Sequence, residues 1–142
     1  MNEAKGTALI TGASGGIGAI YADRLARRGY DLILVARSAG KLERVAKAIR
    51  DQTGRAVDTV AADLGDARDL RRVEERLAHD AGITMLVNNA GIGSTAQTLE
   101  ADVDAMSAMV SLNVNALMRL SHAAVPAFAG RGRGTIVNIA SI

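Results

Sequence analysis

Five short apolar runs rich in β-branched residues, separated by longer stretches of helical period, constrain this chain more than any other feature. That alternation is the pattern of βαβ units and predicts an α/β fold on a parallel sheet. The runs are Thr7 to Thr11, Asp31 to Ala36, Val57 to Ala61, Ile83 to Val87 and Thr135 to Ile139. The second is apolar almost throughout, as a strand buried on both faces must be.

Between the runs the helical signals are specific. Ile17, Tyr21 and Leu25 recur at four-residue spacing, and Arg27-Arg28-Gly29 ends that helix with two cations at its negative pole and a glycine able to turn left-handed. Ser38 and Gly54 bracket a second helix striped by Leu42, Val45, Ala46 and Ile49. Asp66 caps a third, striped by Leu70, Val73 and Leu77. A long helix is predicted from about Val103 to Phe128, carrying Val103, Met106, Val110, Val114, Leu117, Leu120 and Val125. Met109, Leu112 and Met118 make it apolar nearly all round, so one face is expected on the sheet and another on a neighbouring helix or a second subunit. Pro126 is expected to end or kink it.

The 142 residues suffice for one domain with a real core. A net charge of +2, with Lys and Arg interleaved among Asp and Glu along stretches such as Arg68 to Asp80, marks solvated helix faces and is too small to imply a nucleic-acid partner. The absence of cysteine excludes disulfides, thiol catalysis and thiolate metal sites. No segment offers the ~18 uninterrupted apolar residues of a membrane span. Met1 to Gly6 lead straight into the first strand, so a cytoplasmic protein without a signal peptide is expected. The last strand would be an open edge with an uncovered face, which predicts that residues 1–142 are the first part of a longer single-domain fold.

The turn after the first strand reads Thr11-Gly12-Ala13-Ser14-Gly15-Gly16-Ile17-Gly18. Glycines at a strand-to-helix turn let the backbone approach a pyrophosphate, and the helix start supplies amides and a positive dipole. Gly12, Ser14, Gly16 and Gly18 are the candidates for that cradle; a tight turn without a ligand is the alternative. No Gly-Lys-Ser/Thr follows, so it is not a Walker loop, and the spacing is not G-x-G-x-x-G. It matches T-G-x-x-x-G-x-G, and also G-x-x-G-x-x-G through Gly12, Gly15 and Gly18.

The second strand ends Val35-Ala36-Arg37, with no acid to take a ribose 2′-hydroxyl and an arginine suited to a 2′-phosphate. Taken alone, an arginine after a strand is usually only a surface charge. Asp63 after the third strand could accept an adenine amino proton or satisfy amides of its own turn. Asn88 and Asn89 can fasten the fourth strand to its neighbours, with the small Ala90 and Gly91 beside a ligand.

Together these residues resemble the classical short-chain dehydrogenase/reductase family. Thr11 to Gly18 resembles its glycine motif and Asn88-Asn89-Ala90-Gly91 its N-N-A-G signature; Asp63 is similar to its adenine contact, Asn113 to its active-site asparagine and Ser141 to its catalytic serine. The resemblance implies a Rossmann-like, doubly wound sheet of order 3-2-1-4-5 in three α/β/α layers. It implies NADP(H) by preference, NAD(H) as the other possibility, bound by Gly12, Ser14, Gly15, Gly16, Ile17, Gly18, Arg37, Asp63, Leu64, Asn89, Ala90 and Gly91. It further implies a homodimer or homotetramer acting on a small carbonyl or alcohol substrate, with no nucleic acid, membrane or metal involved.

Hydride transfer to a carbonyl requires a proton for the developing alkoxide. In the family resembled, a tyrosine gives that proton, a lysine four residues on lowers its pKa, a serine orients the carbonyl and an asparagine holds a water. Ser141 and Asn113 are the candidates for the last two roles. Leu25 and Leu34 stand four residues after Tyr21 and Tyr30, so neither tyrosine opens a Y-x-x-x-K, and the proton donor is expected beyond Ile142. His79 and His122 lack partner spacing and receive no role. The expected function is an NADP(H)-dependent oxidoreductase; a truncated nucleotide-binding sensor and an epimerase-like member of the family's extended branch are the alternatives.

Overall fold

The computed structural model describes residues 5–141. Strands β1 (Thr7–Thr11), β2 (Asp31–Ala36), β3 (Val57–Ala61), β4 (Ile83–Asn88) and β5 (Thr135–Asn138) form one parallel sheet in the order β3-β2-β1-β4-β5. The interior strands carry the most apolar sequence: Ala8, Leu9, Ile10, Leu32, Ile33, Leu34 and Val35 are all at most 2% exposed. Burying a side chain of leucine size contributes about 1.5–3 kcal/mol, so these strands anchor the domain.

Helices α1 (Gly16–Arg27), α2 (Ala39–Thr53), α3 (Ala67–His79), α4 (Val103–Val110) and α5 (Leu117–Arg131) cover both faces, with a π-helical turn, Ser111–Ala116, joining α4 to α5. Successive strand residues point to opposite faces. Ala8, Ile10, Leu32 and Leu34 therefore meet Ala22, Leu25, Leu42 and Ala46 of α1 and α2. Leu9, Ile33, Val35 and Leu86 meet Leu70, Val73, Leu77, Leu120 and Phe128 of α3 and α5. The result is the doubly wound, three-layer α/β/α arrangement.

The caps act where the sequence places them. Ser38 accepts the amide of Lys41 at 3.4 Å, and Asp66 accepts those of Arg68 and Asp69 at 3.0 and 3.1 Å. Gly54 closes α2 at φ 69°, and Gly132 closes α5 at φ 66°. β4 runs one residue further than predicted and β5 one less, although the Ile139 amide still donates to the Asn88 carbonyl at 3.0 Å.

Two expectations are corrected. In α1 the buried stripe is Gly18, Ala22, Leu25 and Ala26, not Ile17-Tyr21-Leu25, and Ile17 is 55% exposed. A Cβ at Gly18 would lie 2.2 Å from the Gly12 carbonyl oxygen, so only a face of small residues lets α1 pack this closely at its start. The long helix is not regular: it passes through the π turn, and Pro126 sits inside α5, which continues to Arg131. Proline removes one amide from the ladder without ending it. The stop comes instead from Gly132, where the Gly132 amide bonds Ala129 and the Arg133 amide bonds Phe128.

Candidate functional site

A parallel sheet whose strand order reverses at β1 opens a crevice outside the carboxyl ends of its strands. Here that crevice is a cleft of about 280 Å³. Its lining includes Gly12 and Ser14 after β1, Arg37, Ser38 and Lys41 after β2, Asp63 and Leu64 after β3, and Ala90, Gly91 and Ile92 after β4.

The turn between β1 and α1 is tied down from below and open above. Gly12 and Gly16 have φ of 64° and 53°, where other residues are strained. A Cβ on Gly12 would lie 2.9 Å from Ala90 Cα, so the close approach of the two loops also requires glycine there. Gly15, Gly16 and Ile17 are exposed, and a Cβ on Gly15 or Gly16 would meet nothing within 4 Å. No side chain caps α1 and its first turn holds no acid. Its leading amides are therefore left for an anion, as a diphosphate cradle demands.

Thr11 is the fastening below. Its buried hydroxyl accepts the amides of Asn89 and Ala90 at 3.0 and 2.9 Å and donates to the Val87 carbonyl at 3.4 Å. Asn89 answers by donating its carboxamide to the carbonyls of Thr11 and Gly12 at 3.2 and 3.1 Å. The 4%-exposed Asn88 donates to Ser121 Oγ at 3.1 Å and to Asn138 Oδ1 at 3.0 Å, joining β4 to α5 and β5. The two asparagines thus fasten the sheet, while Ala90 and Gly91 face the cleft.

Asn113 lies in the π turn. Its Oδ1 accepts the Ile92 amide at 2.9 Å and its Nδ2 donates to the Ile92 carbonyl at 2.7 Å. The carboxamide thus holds the loop after β4, and a Cβ on Gly91 would lie 3.1 Å from it. A π turn is rare and recurs at functional positions.

At β2's end, Arg37 faces the cleft with no ion-pair partner among the described residues. Asp63 combines two roles: it lines the cleft, and its Oδ1 accepts the Gly65 amide at 2.9 Å.

Of the predicted site residues, Gly12, Ser14, Arg37, Asp63, Leu64, Ala90 and Gly91 converge on the cleft. Gly18, Asn89 and Asn113 stand behind it as supports, and Gly15, Gly16 and Ile17 lie on the exposed turn at the start of α1. Ser141 is exposed beyond β5 and is not part of the cleft lining. The sequence reading missed Lys41, Ser38 as a lining residue, and Thr11 as a hub. The first two were detectable as the cap and first turn of the helix following Arg37.

The family model of short chain dehydrogenases matches residues 6–142. An uncharacterized oxidoreductase of Staphylococcus saprophyticus is 35% identical over 136 residues, covering 95% of this chain and 58% of its own length. Among solved structures, the bulky-bulky ketone specific alcohol dehydrogenase from Comamonas testosteroni is similar, with a TM-score of 0.96 and 43% identity over 99% of this chain and 56% of that one. A short-chain dehydrogenase from Sphingobium yanoikuyae in complex with NADPH gives 0.94 and 47%, over 96% of this chain and 54% of that one. The chain thus spans a little over half the length of these relatives.

Proposed function

The chain belongs to the short chain dehydrogenase family, and from that premise we propose that it carries the NADP(H)-binding part of an oxidoreductase acting on a carbonyl or alcohol substrate. The observation that carries the reading is the cleft itself: an uncapped helix start above a glycine turn, with Arg37 rather than a carboxylate at the end of β2. The Sphingobium relative's complex with NADPH supports the same choice of coenzyme.

In this reading the turn from Gly12 to Gly18 binds the diphosphate, with Ser14, Gly15, Gly16 and Ile17 nearest to it. Arg37 pairs with the 2′-phosphate in the bidentate manner open to a guanidinium. Asp63 and Leu64 hold the adenine, through the Asp63 oxygen not committed to Gly65. Asn89 keeps Ala90 and Gly91 in place beside the coenzyme. The coenzyme supplies hydride chemistry when bound. Ser141 orients the substrate carbonyl by a hydrogen bond, and Asn113 acts in the proton relay, its carboxamide already fixing the Ile92 loop. Tyr21 and Tyr30 pack against the α1/α2 side of the sheet and are given no part in proton transfer.

A homodimer or homotetramer belongs to the same proposal. Val103, Val110, Val114, Met118 and Val125, each more than half exposed, form a ridge along α4, the π turn and α5 that supports a subunit contact.

The test is coenzyme consumption by the full-length protein against a panel of ketones and ketoses. Faster consumption of NADPH than of NADH is expected. Preference for NADH would overturn the coenzyme assignment, and binding without consumption of either would overturn the reaction.

A further inference from the structure

The cleft contains a second cation that the preceding reading does not use. Lys41 is the third residue of α2 and lines the cleft together with Arg37 and Ser38. Like Arg37, it has no ion-pair partner among the described residues. The same helix pairs two of its other three cations, Lys47 with Asp51 at 2.6 Å and Arg50 with Glu43 at 2.6 Å, while Arg44, also without an ion pair among the described residues, does not line the cleft.

The position of Lys41 is also unfavourable for the helix alone. α3 and α4 place Asp69 and Asp104 in their first turns, where a negative charge complements the dipole; α2 has no acid there. A lysine in that turn opposes the dipole unless an anion comes to it. Asp63, the one carboxylate in the cleft lining, already accepts the Gly65 amide at 2.9 Å. Two cations without ion pairs among the described residues thus line the same cleft.

We propose that Lys41 is a specificity-determining residue that closes on the ribose 2′-phosphate from the helix side, opposite the Arg37 guanidinium on the strand side. The inference rests on the reading of Arg37 as the 2′-phosphate partner. A phosphate monoester carries about −1.5 to −2 charge at neutral pH, more than one arginine neutralises. A guanidinium supplies a fixed fork, and an ammonium on a flexible stem supplies a mobile point charge, so the two are complementary on one dianion.

The experiment measures dissociation constants for NADPH and NADH on the full-length protein and on its Lys41→Ala, Lys41→Arg and Arg37→Ala variants. Lys41→Ala should weaken NADPH about tenfold and leave NADH within about twofold. Lys41→Arg should retain most of the NADPH affinity. Without coenzyme, Lys41→Ala should melt no lower than the parent, because the ammonium makes no ion pair among the described residues. If Lys41→Ala weakens both coenzymes equally, or neither, while Arg37→Ala still discriminates against NADPH, the role of Lys41 is overturned and the coenzyme reading stands. If Arg37→Ala shows no discrimination, the coenzyme reading fails and this inference with it.

Discussion

Thr11 and Asn89 hold each other reciprocally: the Asn89 amide donates to the Thr11 hydroxyl at 3.0 Å, and the Asn89 carboxamide returns to the Thr11 carbonyl at 3.2 Å. This pair sets the separation of the two loops that flank the cleft. Thr11→Val keeps the shape but leaves the amides of Asn89 and Ala90 without their acceptor, which should cost about 1–3 kcal/mol. Urea unfolding of the full-length protein measures it; an unchanged midpoint would contradict the pairing.

The glycines of the turn should separate by what surrounds them. Gly18→Ala drives a Cβ to within 2.2 Å of the Gly12 carbonyl oxygen, whereas Gly15→Ala places one in open space on an extended backbone with φ of −177°. Gly18→Ala should destabilise by about 2 kcal/mol or more and Gly15→Ala by less than about 0.5 kcal/mol. Thermal melts of the two variants without coenzyme check the contrast, and equal losses would refute the close packing of α1.

Asn113→Ala should free the loop after β4 while costing little global stability. The Ile92 amide loses the acceptor now at 2.9 Å, so its hydrogen exchange should accelerate and kcat should fall more than KM rises. Asn113→Asp should rescue only in part, because a carboxylate can accept from the Ile92 amide but cannot donate to the Ile92 carbonyl. Unaltered exchange at Ile92 would remove the basis for this role.

The turn from α3 to β4 supplies a pH dependence. Burial pushes the Asp80 carboxyl up, but hydrogen bonds from Arg76 at 2.9 Å and from the Gly82 amide at 3.0 Å outweigh it and hold the group below the ordinary carboxylate range. A carboxylate lowered on folding contributes fully above its unfolded-state pKa, and the contribution disappears as pH falls through the folded-state value. With side chains 40% and 31% exposed, the Arg76–Asp80 pair should contribute about 1 kcal/mol or less. Asp80→Asn should therefore flatten part of the acid limb of a stability-against-pH curve. A variant with the parent's full acid sensitivity would argue against it.

What could be read in the sequence was what neighbouring residues decide among themselves. Ser38, Asp66 and Gly54 act at helix ends because capping needs only a side chain or a left-handed residue within a few positions. The parallel sheet and the glycine turn were legible because alternation and loop composition carry them, whereas the strand order followed only from the family resemblance. Hidden features depend on distant partners. The π turn around Asn113 coincides with a clasp on Ile92, 21 residues away, which periodicity does not report. Ile17 faces outward because the approach of α1 to the loop before it, not hydrophobicity, selects the buried face.

Calorimetric titration of NADPH and NADH into the full-length protein and its Arg37→Ala variant tests the central claim most directly, that a dinucleotide diphosphate rests on the amino end of α1. Saturable uptake of NADPH is expected, with Arg37→Ala weakening NADPH about tenfold and NADH far less. Folded protein that takes up neither coenzyme would contradict it.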